Sequence, residues 1–112
     1  MLAPSTLAVV ARNVRWQGSV ATEPYECGWA REAVFFLRAL DDSADAPMVR
    51  AHVEISPDGV AWVAEGTSVM LPIHRDETTF CRVEKFGGWL RLAAELPAGT
   101  AMTVLVALHL KG

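Results

Sequence analysis

Apolar and polar residues alternate with a period of two along several short stretches of this chain, which is the period of a half-buried β-strand. In the clearest stretch, residues 48–55, Val49, Ala51, Val53 and Ile55 share one side. Turn-forming residues separate such runs at the roughly ten-residue spacing typical of a sandwich or barrel. We therefore predict an all-β fold, an antiparallel, jelly-roll-like β-sandwich of about eight strands. It is expected to form a single domain over residues 1–112.

The apolar runs also place the predicted strands. The first, residues 7–11, is expected to continue over residues 14–16 after a break at Asn13. Further strands are predicted over residues 19–22, 32–40, 48–55, 60–65, 67–71, 79–85, 89–95 and 100–110. Residues 29–40 also show apolar positions at helical spacing, so a helix stays open as the alternative there. The run Val34-Phe35-Phe36 favours a strand buried on both faces.

Residues 56–62, Ser-Pro-Asp-Gly-Val-Ala-Trp, predict a tight turn between two strands. Pro57 presets φ, Asp58 can bond its own backbone, and Gly59 accepts a positive φ. Trp62 is expected on the returning strand, where it covers a sheet face. These residues are interpreted as scaffold and not as a binding site.

Two further predictions concern the C-terminal part of the chain. Gly87 and Gly88 are expected to close a hairpin between strands 79–85 and 89–95, because glycine tolerates the positive φ that short hairpins require. The last strand is largely apolar on both faces, so one face is assigned to the core and the other to a neighbour. The two faces are Met102, Val104, Val106, Leu108 and Leu110, and Ala101, Thr103, Leu105, Ala107 and His109.

Composition narrows the class of protein. An apolar fraction of 52% and a mean hydropathy of +0.24 are slightly high for a soluble monomer, which indicates partner subunits. The net charge of −3 offers no basic surface for nucleic acid. No apolar run approaches the ~20 residues of a membrane span, and no basic segment that would begin a signal peptide precedes the first apolar stretch. Cys27 and Cys81 are predicted to be buried thiols in a reducing compartment.

The order of these motifs resembles small β-sandwich structural proteins encoded in tailed-phage and prophage gene clusters. The resemblance covers roughly residues 32–110 and is carried by five segments. They are Phe36-Leu37-Arg38-Ala39-Leu40, Ala46-Pro47-Met48-Val49, Ser56 to Trp62, Trp89-Leu90-Arg91-Leu92 and Gly99-Thr100. A Gly-Thr pair that usually precedes the proline is replaced here by residues 41–45, Asp-Asp-Ser-Ala-Asp.

The resemblance implies a structural, non-enzymatic role in a phage-like virion or phage-derived particle, as a decoration or accessory subunit. The implied partners are identical subunits, a capsid protein or a tail protein, and the implied location is a virion or a cytoplasmic particle. The Ser-Pro-Asp-Gly-x-x-Trp motif also recurs in carbohydrate-binding sandwiches. A small carbohydrate-binding module is therefore the alternative, and a subunit of a bacterial shell or injection apparatus is a third hypothesis.

Candidate catalytic chemistry is sparse. His52 with Glu54, and His74 with Asp76, are close enough in sequence to suggest metal ligands, but no spacing links the two pairs. Cys81 alternates with apolar neighbours and is expected to be packed rather than nucleophilic. We predict no catalytic residue, metal or cofactor, and hence no enzyme.

Aromatic residues supply the candidate contact sites. The four tryptophans are interpreted as core or subunit anchors, in preference to platforms for sugar rings. Arg82 and Arg91 are expected to form ion pairs with Glu84 or Glu95. The predicted interface residues are Trp16, Tyr25, Trp29, Leu105 and His109.

Overall fold

The computed structural model describes residues 4–42 and 48–112, and these residues form nine β-strands and no helix. The strands are β1 (Ser5–Gln17), β2 (Ser19–Ala21), β3 (Tyr25–Glu26), β4 (Glu32–Ala39), β5 (Arg50–Ser56), β6 (Val63–Met70), β7 (Thr78–Glu84), β8 (Trp89–Glu95) and β9 (Ala101–Lys111). The all-β prediction is confirmed, and β4 resolves the helix alternative in favour of a strand. Nothing in the described part of the chain forms a helix able to span a membrane.

The strands form two antiparallel sheets. Sheet A has the order β1-β9-β4-β7, and sheet B has the order β2-β8-β5-β6, with β3 also pairing with β8. Most neighbours within a sheet are remote in sequence, as in a jelly roll built from two Greek keys. The sandwich prediction is therefore confirmed. The segment Ala46-Pro47, which supported the resemblance, lies outside the described residues.

The core fills the space between the two sheets. Of the two apolar faces predicted for β9, the one that faces the core carries Met102, Val104, Val106, Leu108 and Leu110, which are at most 1% exposed. Phe35 and Leu37 from β4 and Leu90 and Leu92 from β8 are also fully buried. The long central strand β9 thus presents one complete side to the core.

Trp16 belongs to this core, with 1% of its surface exposed, so its assignment as an interface residue is wrong. The cause is the register of β1, which shifts between Val9 and Ala11 and between Ala11 and Val14. Asn13 adopts a positive φ of 50° inside this irregular stretch, where a break was predicted. After the shifts Trp16 lies opposite the inward-facing Met102 and points into the core with it.

The predicted hairpin at Gly87 and Gly88 is also wrong. Strand β7 pairs with β4 in sheet A, whereas β8 lies between β2 and β5 in sheet B, so the connecting residues cross from one sheet to the other. Phe86, next to the glycines, is only 4% exposed. Because this ring is inserted between the layers, the chain passes over the edge of the sandwich instead of folding back on β7.

Candidate functional site

The outer face of sheet A carries a row of apolar side chains that crosses all four strands. The backbone register aligns Val9 with Ala107, Ala107 with Phe36, and Phe36 with Phe80. We call these four residues the apolar row. Val9, Phe36 and Phe80 are 39%, 37% and 49% exposed, and the two phenylalanine rings lie 6.1 Å apart between centroids. Leu7, on β1, adds a side chain that is 65% exposed.

Charged groups surround the apolar row on the same face. The Arg82 guanidinium lies 5.0 Å from the centroid of the Phe80 ring, a cation–π contact that covers part of the ring. Arg38 pairs with Asp76 at 2.7 Å on the other side of the row. A cavity of about 650 Å³ opens at the end of the face where β4 begins, lined by Glu32, Val34, Phe36, Arg82, Glu84, His109 and Lys111 among others. An apolar centre with a charged rim is the usual anatomy of a protein interface.

The structure brings together only two of the predicted interface residues. Leu105 and His109 lie half-buried on the outer face of sheet A, and His109 Nε2 is 3.1 Å from Ser5 Oγ. Trp29 is 44% exposed in the loop before β4, and Tyr25 is half-buried on β3 against the core. Leu105 and His109 therefore remain predictions for this face, and the other two lie elsewhere.

Four contributors to this face were missed from the sequence: Leu7, Val9, Phe36 and Phe80. The adjacent pair Phe35 and Phe36 held the available signal, because neighbours in a strand point to opposite faces. The sequence around Phe80 gave a weaker signal, because polar residues precede it. Only the inward position of its neighbour Cys81 indicates that Phe80 points outward. Strand order was needed to show that these side chains form one surface.

The outer face of sheet B is different in character. It holds an open groove of about 870 Å³ whose lining includes Ala21, Arg50, His52, Glu54, Arg91 and Ala93. Arg91 Nε donates to Glu54 Oε1 at 2.6 Å, and its guanidinium lies 4.3 Å from the Trp62 ring. The predicted pairing of Arg91 with Glu84 or Glu95 is wrong, because Glu54 is its direct neighbour across the β5–β8 ladder.

The turn after β5 is held by its own side chains. Ser56 Oγ accepts hydrogen bonds from the backbone N–H groups of Asp58 and Gly59, at 3.2 and 2.8 Å. Asp58 Oδ1 accepts from the N–H groups of Ala61 and Val60, and these bonds hold the Asp58 pKa below its ordinary value of 3.8. The scaffold interpretation of Pro57, Asp58 and Gly59 agrees with this geometry.

One detail of this turn differs from prediction. The returning strand β6 begins at Val63, so Trp62 lies just before it and packs against Arg91 rather than standing on the strand. The long turn positions Gly59 directly over the Trp89 ring, where a Cβ would lie 3.1 Å from two ring atoms. Both tryptophans on this side are thus in contact with other parts of the same chain.

These contacts weaken the case for sugar binding. Sugar rings in sandwich modules stack on open aromatic faces. Arg91 covers one face of Trp62, the Gly59 turn covers Trp89, and no Phe, Tyr or Trp ring is among the described residues that line the groove. The groove offers hydrogen-bonding groups without a stacking platform.

The candidate catalytic and metal residues are also dispersed. Glu54 is paired with Arg91 and Asp76 with Arg38, and no three His, Cys, Asp or Glu side chains within residues 4–42 and 48–112 gather as a metal site would require. Cys81 is 7% exposed, and burial, aided by Glu65, raises its pKa to about 11. Cys81 is therefore packed, as predicted, and the shift is opposite to that of an activated nucleophile.

Comparison with known proteins supports the fold. No protein-family model matches the chain, and no curated protein matches its sequence. Among solved structures, the SPBc2 prophage-derived protein YomS superposes with a TM-score of 0.65 at 8% identity, over 100% of this chain and 96% of that one. A protein of Bacillus endospore appendages, described as disulfide-linked pili, gives 0.48 at 11% identity over 98% and 88% of the two chains, too distant to support an argument. The chain shares its fold with a prophage-derived protein.

Proposed function

We propose that this protein is a non-enzymatic structural subunit of a phage-like virion or phage-derived particle, and that it binds other proteins through the outer face of sheet A. The observation that carries the proposal is the apolar row. Val9, Phe36 and Phe80 keep between 37% and 49% of their surface exposed, although the core between the sheets is already filled. Contiguous exposed apolar surface on a small domain is typical of an interaction site.

Two further observations support the particle assignment. The chain resembles small virion sandwiches in its motif order, and a prophage-derived protein shares its fold. A decoration or accessory subunit that contacts identical copies, a capsid protein or a tail protein fits a surface with an apolar centre and a charged rim. The corresponding location is a virion or a cytoplasmic particle.

Particle incorporation tests this proposal. The chain would be expressed together with the capsid and tail proteins encoded beside its gene, and the assembled particles would be separated by sedimentation. We expect the wild-type chain to sediment with the particles and the variant Phe80→Lys to stay behind, because a charge in the apolar row opposes burial.

Val63→Lys is the matched control, because Val63 is 59% exposed but belongs to sheet B. It should be incorporated like the wild type. A wild-type chain that remains in the unassembled fraction would contradict the structural assignment. A glycan that quenches the tryptophan fluorescence of the chain saturably would contradict it as well.

A further inference from the structure

We infer that the outer face of sheet A seats a second copy of this chain, sheet against sheet, around a two-fold axis parallel to the strands. The inference rests on the proposed function, in which this face is a protein-binding surface, and it names the partner. A two-fold contact requires a self-complementary surface, on which residue i meets residue j and residue j meets residue i.

The size of the face is sufficient for a stable pair. Sheet A has four strands, and β9 at its centre is 11 residues long. At about 4.8 Å between strands and about 3.3 Å per residue, the face covers roughly 500 to 700 Å² in projection. Side chains corrugate this surface and raise its accessible area toward the ~800 Å² per partner of a standard interface. A whole-face contact therefore meets the requirement, whereas one edge of the face does not.

Complementarity follows from the two central strands. An axis that runs between β9 and β4 places β9 of one copy over β4 of the other, at the register already present within the sheet. Phe36 then lies over Ala107 of the second copy, so that a large ring meets a small side chain, and Glu32 lies over Lys111 of opposite charge. The same operation places Phe80 over Val9, because β1 then lies over β7. Each of these contacts occurs twice.

The opposite face of the sandwich does not offer such a surface. On sheet B the turn of residues 57–62 folds over the outer side, where Gly59 covers Trp89 and Trp62 contacts Arg91. The groove below it is lined by Arg50, His52 and Glu54. Flat sheet-on-sheet packing at a spacing of about 10 Å is therefore open to sheet A and obstructed on sheet B.

Light scattering and thiol cross-linking of the purified chain test the inference. We expect a mass of twice the 12.2 kDa chain at micromolar concentration. In Ala107→Cys, each new thiol lies over Phe36 of the other copy and one strand away from its symmetry mate across the axis, so a short bis-maleimide should link two chains. Phe80→Lys should weaken association at least about tenfold, because it sets a charge against Val9 of the second copy where two apolar side chains would meet. Glu32→Lys should also weaken it, and adding Lys111→Glu should restore it.

The controls use the same chain. Ala93→Cys places a thiol on a half-buried alanine of the opposite face and should not be cross-linked. The native thiols give the background, since Cys27 and Cys81 are 0% and 7% exposed. A monomer at all concentrations, or equal linking of Ala107→Cys and Ala93→Cys, overturns the inference. If that monomer still enters particles, the proposed function stands and the partner is a different protein.

Discussion

Gly59 shows how one residue couples the turn to the sheet beneath it. Its φ of 79° lies in the left-handed region, and a Cβ there would meet Trp89 ring atoms at 3.1 Å. We expect Gly59→Ala to lower the free energy of unfolding by about 1–2 kcal/mol from the backbone strain, with a further loss from the ring contact. Urea denaturation of the variant and the wild type measures the difference.

Gly18→Ala is the matched control for this change. Gly18 has a similar φ of 68°, but nothing lies within 4 Å of its Cβ position. Gly18→Ala should therefore lower the free energy of unfolding through backbone strain alone, without the loss that the ring contact adds at Gly59. Equal losses at the two positions would mean that the Trp89 ring moves aside freely, and that Gly59 is required for its φ alone.

The two cysteines give a prediction that depends on pH. Burial raises the pKa of both thiols from 9.0 to about 11, with smaller contributions from Glu26 at Cys27 and from Glu65 at Cys81. Because the thiolate is the reactive form, native protein at pH 8 should react with Ellman's reagent far more slowly than unfolded protein. The raised pKa favours folding below pH 9, and this contribution is lost as the pH rises toward 11. Rapid labelling of the native chain at pH 8 would show that one thiol is accessible.

At the scale of elements, strand positions were easier to predict than strand partners. The residues of β7 and β8 alternate as expected, and the glycines between them fit a hairpin and a crossing between sheets equally well. Burial of Phe86 between the two sheets favours the crossing, and this burial exists only because the second sheet covers the ring. The β5–β6 hairpin was predictable because Ser56 and Asp58 bond the turn's backbone locally. Local bonds are visible in sequence, whereas the choice of layer is not.

The contact between β5 and β8 yields a prediction about ion pairs. Arg91 and Glu54 are joined at 2.6 Å with side chains only 27% and 24% exposed, and Arg91 also covers Trp62. A double-mutant cycle with Arg91→Met and Glu54→Gln should give a coupling of about 1 kcal/mol, the upper end for surface pairs.

The second ion pair of the described residues supplies the comparison. Arg38 and Asp76 are similarly close, at 2.7 Å, but their side chains are 50% and 64% exposed. Solvent screens such a pair, so its coupling in the same cycle should be a few tenths of a kcal/mol or less. A larger coupling for the exposed pair than for Arg91 and Glu54 would contradict the role given to burial.

At the scale of the whole molecule, the fold class was predictable from the sequence, and the surface proposed here for binding was not. Alternation and turn spacing are properties of short segments, and they indicated a sandwich. The apolar excess also indicated a second buried surface, and the two-sided β9 suggested where it begins. The apolar row is assembled from β1, β4, β7 and β9, which are distant in sequence and become neighbours only through the jelly-roll order. No local pattern specifies that order.

If the proposed dimer forms, one face of β9 serves folding and the other serves binding, and one substitution made on each face tests this division. Leu108 is fully buried in the core, so Leu108→Ala should lower the free energy of unfolding by about 2–5 kcal/mol through the cavity it leaves. Leu105→Ala, the same change on the half-buried outer face, should cost the monomer about 1 kcal/mol or less, since fewer of its atoms leave water on folding.

At protein concentrations too low for the dimer to form, the free energies of unfolding of the two variants, measured by urea denaturation, should differ by more than about 1 kcal/mol. The order should reverse for association, which Leu105→Ala weakens and Leu108→Ala leaves unchanged while the fold persists. If Leu105→Ala destabilised the monomer as much as Leu108→Ala, the outer face of sheet A would be part of the folding core. It would then be covered by this chain itself, and no surface of this kind would be left for a partner.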